Sequence, residues 1–230
     1  MTNKGQVVTK KGQVLNNKGQ VVSDKGQVVK IGWVLGWAVP EAWFAALARD
    51  AFPCATHVFV SASPQALDEL SEAGPFDWVA GYSLGTLLLL EEAERAARLG
   101  RVALLAPIFA FPSEANVGGK VSRAQVRQLA RQVRRDPRVA VADFYERAGL
   151  DVPAEAAASP EVENLIWGLE RLENDRVAPA LPEGWLAWCG AEDALLDAKA
   201  MNAIEPRVSV VEGGTHHPMA LLREFAAIIT

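Results

Sequence analysis

The sequence predicts an α/β architecture: a mostly parallel central sheet covered by helices on both faces, with a helical cap inserted after the strand ending near Pro107. Three observations carry this reading. From Lys30 onward, short apolar runs alternate with helix-length segments. The runs are continuous rather than alternating, as strands buried on both faces are, and that burial is the habit of parallel sheets. Between about residues 112 and 178 the strand signal vanishes while helical periodicity persists.

Taken in order, IGWVL reads as a strand, EAWFAALARDA as a helix and THVFVSA as a strand. SPQALDELSEAG is expected to be a helix with Ser63 as N-cap and Pro64 at its first position. FDWVAGY is the next strand, LGTLLLLEEAERAARLG one long helix ending at Gly100, and RVALLAP a further strand. In the cap, SRAQVRQLARQVRR opens with a capping box of Ser122 and Gln125. DPRVAVADFYERAG has Asp136 as N-cap, Pro137 at the first position and Gly149 as stop, and SPEVENLIWGLERLE starts at Ser159 and Pro160. GWLAWCG and RVSVVEG are the last strands, each followed by a helix. The expected organisation is residues 1–30 as a repeat segment, 31–111 and 179–230 as core, and 112–178 as cap.

At 230 residues and half hydrophobic, the chain can bury a sizeable core as one domain. A net charge of −5 argues against a general nucleic-acid binder. The longest apolar run is broken by Gly and Ser and is too short to cross a bilayer, and residues 1–30 lack the apolar stretch of a signal peptide. The expectation is therefore a cytoplasmic monomer without nucleic-acid or membrane partners. Cys54 and Cys189 read as buried thiols rather than a disulfide. Residues 4–29 repeat with period seven (KGQVVTK, KGQVLNN, KGQVVSD, KGQVV), giving short hairpins with turns at NNKG and SDKG, or disorder. Six of the eight lysines lie at or before Lys30 and all fifteen arginines after it, a shift that suggests a repeat expansion, or an upstream start codon, joined to an Arg/Ala-rich body; the repeats receive no chemical role.

The chemistry starts at VAGYSLGT. Gly81, Ser83 and Gly85 form G-x-S-x-G between an apolar strand and an apolar helix, where a sharp turn lifts a serine above the strand end. The helix start and the backbone N–H of Leu84 would then face developing oxyanion charge. A serine needs a base, and the base a carboxylate to orient it. WCGAEDALLD supplies Asp193 in a loop after a strand, with Glu192 as a competitor and Asp197 as the N-cap of the next helix. The following strand ends in EGGTHHPM, so His216 or His217 completes a Ser–Asp–His order. A metal is not expected: adjacent histidines rarely reach one ion, and the third histidine, His57, starts a distant strand.

From about Ile31 to the C-terminus these residues resemble the α/β-hydrolases. Within them LGWAVPEAW, GYSLGT, LIWGLERLENDRV, CGAEDALL and GGTHHPM are most similar to the pimeloyl-[acyl-carrier protein] methyl ester carboxylesterases of biotin synthesis. That resemblance implies Ser83 as nucleophile, Asp193 as orienting acid and His216 as base, with His217 a bystander. It also implies an oxyanion hole of the Trp37 and Leu84 N–H groups, no cofactor, and two strands before Ile31. Leu35 stands where relatives carry histidine, and the segment between VFVSAS and FDWVAGYS is short. The implied substrate is a small acyl methyl ester on acyl-carrier protein, with a generalist esterase, a thioesterase or an idle binding protein as alternatives.

In the first cap helix Val126, Leu129, Ala130 and Val133 form an apolar stripe, and Arg123, Arg127, Arg131, Arg134 and Arg135 crowd the other side without acids between them. The basic side is either a solvated face or, as the resemblance favours, a dock for an acidic carrier protein. Trp37, Tyr82, Phe109 and Phe144, with Phe111, Tyr145 and Trp167, are the candidates to line an acyl pocket.

Overall fold

The computed structural model describes residues 28–153 and 161–229, and the backbone of two short strands before them. Those strands, β1 (Val7–Val8) and β2 (Val14–Leu15), pair antiparallel within the repeats. The NNKG and SDKG turns lie outside the described residues, as does the Ser159–Pro160 helix start.

The main sheet has six strands: β3 (Lys30–Val34), β4 (Thr56–Val60), β5 (Trp78–Tyr82), β6 (Arg101–Leu105), β7 (Leu186–Gly190) and β8 (Val208–Val211). Their order is β4-β3-β5-β6-β7-β8, and every neighbouring pair is parallel. The sheet thus begins at Lys30, with β4 at its edge. All five residues of β5 are buried, as a central strand covered on both faces requires. α1 (Glu41–Ala51) packs on α9 (Pro218–Ile229), α2 (Ala66–Ala73) on β3 and β4, and α8 (Ala198–Ile204) on β8. Trp33, fully buried, centres an aromatic cluster with Phe44, Phe52, Phe59 and Phe225 that ties α1 and α9 to the sheet.

Two local expectations are corrected. The segment after β5 is two helices, α3 (Leu84–Glu91) and α4 (Ala93–Leu99), broken at Glu92. α3 is buried on nearly every side, whereas α4 buries only Ala96, so the chain changes direction where it leaves the interior. α2 starts at Ala66, after Ser63 and Pro64: the Ser63 hydroxyl accepts from the Gln65 N–H at 3.2 Å, closing a turn ahead of the helix rather than capping it.

Three helices lie between β6 and β7: α5 (Arg123–Arg135), α6 (Pro137–Ala148) and α7 (Val162–Asn174). α5 opens with the Ser122/Gln125 capping box, and α6 is capped by Asp136 and ends at Gly149 in the left-handed region. α5 packs on both other helices. No helix among the described residues is long and apolar enough to cross a membrane. No disulfide joins the two cysteines; Cys189 is buried, and Cys54 is half-buried because its turn lies at the sheet edge.

Candidate active site

The strand order reverses beside β3: the chain runs from β3 to β4 on one side, then returns to β5 on the other. Loops leaving β3 and β5 diverge there, which opens a crevice at the carboxyl ends of the strands. Both GWAV and Ser83 leave strands at this point. Ser83 has φ 51° and ψ −119°, a conformation that L side chains rarely adopt. The sharp turn presses α3 against the sheet, and a Cβ on Gly85 would stand 2.1 Å from the Val34 carbonyl oxygen. Only glycine fits there. Thr86, fully buried, pins the turn: its hydroxyl donates to the Ser83 carbonyl at 2.7 Å and accepts from the Ile108 N–H at 2.9 Å.

The Asp193 and His216 loops are brought together by backbone packed on backbone. A Cβ on Gly190 would stand 2.4 Å from the Gly214 carbonyl oxygen, and the Glu192 N–H donates to that oxygen at 2.8 Å. Asp193 Oδ1 accepts from the N–H groups of Leu195 and Leu196 at 2.8 and 3.0 Å. Asp193 Oδ2 lies 2.8 Å from His216 Nδ1, and His216 Nε2 lies 3.2 Å from Ser83 Oγ. A carboxylate only accepts, so Nδ1 carries the proton and Nε2 is free to accept from the serine hydroxyl. Ser83 is 7 % exposed and both partners 1 %. Glu192 is exposed, and Asp197 caps α8 through the Ala200 N–H at 3.0 Å.

The two adjacent histidines face different partners. His217 Nδ1 accepts from the Met219 N–H at 3.2 Å, which leaves Nε2 as donor to Asp151 at 2.9 Å. Trp43 stacks edge-on against this ring and donates to the same carboxylate oxygen at 3.2 Å. His217 therefore joins the core to the cap just after α6.

Gly36 approaches the nucleophile so closely that a Cβ there would stand 3.1 Å from Ser83 Cβ. Trp37 follows Gly36 in this loop, and no backbone bond from the Trp37 or Leu84 N–H to another described residue is found. The loop is held from the cap: Trp37 Nε1 donates to the Leu165 carbonyl at 2.8 Å, and the Tyr145 hydroxyl donates to that of Ala38. Leu35 is fully buried, and its N–H donates to the Val60 carbonyl at 3.0 Å. Apolar packing and one backbone bond anchor the loop's start.

A cavity of about 170 Å³ lies between cap and core, walled by Trp37, Phe111, Phe144 and Leu169 and reaching Ala194 and Leu195 beside the acid loop. Trp37 also borders a second cavity of about 350 Å³, with Tyr145 and Asn164. Phe144 meets Trp37 edge-on at 4.8 Å. Tyr82 and Phe109 line neither cavity, because both point into the core. Tyr82 instead donates its hydroxyl to the His216 carbonyl at 2.6 Å, and burial, with Asp193 nearby, pushes its phenol well above the ordinary range. Of the cap arginines, Arg127 pairs with Glu173 at 2.6 Å and Arg134 with Glu170 at 3.8 Å, since α7 presents its acids to α5. Arg131 bonds Gln128 on its own helix. Lys120 was not singled out by the sequence; its ammonium donates to the Asp193 carbonyl at 2.6 Å. The one available signal was that it stands alone among lysines between Lys30 and Lys199.

Comparison of the structure with solved ones gives full-length likenesses at low identity. The esterase EaEST from Exiguobacterium antarcticum superposes with a TM-score of 0.65 at 12 % identity, covering 97 % of this chain and 96 % of its own. The fold is that of the α/β-hydrolases. The N-acyl homoserine lactonase AidH follows at 0.60 and 13 %, covering 87 % and 86 %. YbtT, a type II thioesterase of yersiniabactin biosynthesis, gives 0.52 and 16 %, covering 89 % and 92 %. No protein-family model matches the sequence, and no curated protein does.

Proposed function

We propose that the protein is a serine hydrolase of carboxylic esters. The observation that carries this is the hydrogen-bonded chain from Ser83 through His216 to Asp193, built on a strained turn at the strand-order reversal. Ser83 Oγ attacks the ester carbonyl carbon while His216 Nε2 takes its proton. The oxyanion is held by the N–H groups of Trp37 and Leu84, at the start of α3. The carbon–alkoxide bond then breaks as Nε2 returns the proton to the leaving oxygen. A water, deprotonated by the same ring, attacks the acyl-enzyme and releases acid and free serine. Each step needs the Nδ1–H tautomer that Asp193 holds.

The finer reading is a methyl ester on an acyl chain borne by acyl-carrier protein. It is supported by the sequence resemblance, by the apolar cavity under the cap, and by Arg131, which has no carboxylate pair among the described residues, whereas Arg123 stands beside Glu114. The ion pairs of Arg127 and Arg134 reduce the charge available for docking. A thioester is the second substrate class, favoured by the likeness to YbtT. A connected, buried triad speaks against an idle binding protein.

A fluorophosphonate probe tests the central reading: it should label Ser83 in the folded protein and leave Ser83→Ala unlabelled. Absence of an adduct would overturn every serine-hydrolase assignment. Release of free acid from carrier-borne methyl ester, and Ser83-dependent rescue of a biotin auxotroph lacking its esterase, test the finer one; cleavage of short p-nitrophenyl esters alone would leave only the general activity.

A further inference from the structure

We propose that the cavity under the cap is an acyl pocket ending in an anion subsite formed by Lys120 and Arg147, so that the preferred ester carries an oxyanion at the far end of its acyl chain. This rests on the serine-hydrolase reading above. The cavity wall is mostly apolar, with Phe111, Phe144, Leu169 and Leu172 on it, and Lys120 and Arg147 are the two cationic side chains that line it. Neither is ion-paired among the described residues, although Arg127, Arg134 and Arg171 around the cap all are. Lys120 spends one of its three N–H donors on the Asp193 carbonyl, which fixes the ammonium beside the acid loop and leaves two for a ligand. Arg147 lines the same cavity from α6, three residues after Phe144, with a fork suited to two oxygens.

Both cations are exposed where they line the cavity, so each is solvated when the cavity is empty and can meet an anionic occupant without a large desolvation cost. An alkyl chain fills the wall and an oxyanion meets the two cations. The same chemistry comes from two sources: the carboxylate of a free dicarboxylic half-ester, or the phosphodiester of a carrier's prosthetic arm.

The test compares kcat/KM for the monomethyl ester of a dicarboxylic acid with that for the equally long neutral methyl alkanoate. It uses the wild type, Arg147→Gln and Arg147→Glu. Arg147 is exposed, so the variants should fold. The wild type should favour the charged ester by about tenfold, the glutamine variant should bring the ratio near one, and the glutamate variant should invert it. If the ratio responds only when the methyl ester is carried on acyl-carrier protein, the phosphodiester is the source. An unchanged ratio in all three enzymes on both substrate forms would overturn the subsite. Loss of the fluorophosphonate adduct would instead overturn the hydrolase reading beneath it.

Discussion

Replacing Asp193 with Asn changes a single atom type and should invert the function of His216. In the native site both carboxylate oxygens accept: Oδ1 from the N–H groups of Leu195 and Leu196, Oδ2 from His216 Nδ1. The asparagine amide offers one oxygen and one NH2. Two backbone donors at 2.8 and 3.0 Å can face only the oxygen, so the NH2 is turned to His216. Nδ1 must then accept, the ring proton moves to Nε2, and Nε2 can no longer take the proton of Ser83. A Ser-His-Asp site given the wrong tautomer loses about 10⁴-fold in kcat, or roughly 5.5 kcal/mol of transition-state stabilisation. Stability should change little, because the size and both backbone bonds are kept. The assay is p-nitrophenyl acetate hydrolysis at neutral pH with the thermal midpoint measured in parallel, and Glu192→Gln as control. A variant within tenfold of wild type would refute the argument, and a large loss in Glu192→Gln would move the acid by one residue.

The same geometry separates the two adjacent histidines. His216→Ala should abolish turnover, whereas His217→Ala removes bonds to Asp151 and Met219 and the Trp43 contact, none of which reaches the triad, and should keep kcat within a few-fold; steady-state kinetics of both variants decide between them. His57 gives a pH dependence of stability. Its Nδ1 accepts from Trp33 Nε1 at 3.0 Å and its Nε2 donates to the Phe52 carbonyl, so the neutral ring fits and a second proton has no place. Burial, with a smaller contribution from Arg49 and partly offset by the Phe52 bond, lowers its pKa below the ordinary 6.5. The unfolded chain therefore binds the proton first, and this contribution to stability is complete above pH 6.5 and is lost as pH falls toward the lowered folded value. Urea midpoints between pH 8 and 5 should fall less steeply in His57→Gln, whose amide oxygen can still accept from Trp33; identical slopes would refute the assignment.

What the sequence by itself determined was local or ordered along the chain. Apolar runs without alternation called for a doubly covered parallel sheet, and caps such as Ser122/Gln125 and Asp136 act within four residues of themselves. The Ser83–Asp193–His216 order was legible because each member follows a strand, and parallel strands deliver their ends to one rim of the sheet. Which side chains face a cavity was decided only by the tertiary structure. Tyr82 and Phe109 are as aromatic as Phe144, but the end of β5 and the loop after β6 turn them into the core, and Tyr82 holds the His216 main chain across 134 positions. The arginines of α5 read as a free basic stripe until α7 places Glu170 and Glu173 against it. Lys120 gained its place beside Asp193 only when residues 73 apart were brought within hydrogen-bonding distance. Contacts at that separation depend on how elements pack, and composition and periodicity describe elements one at a time.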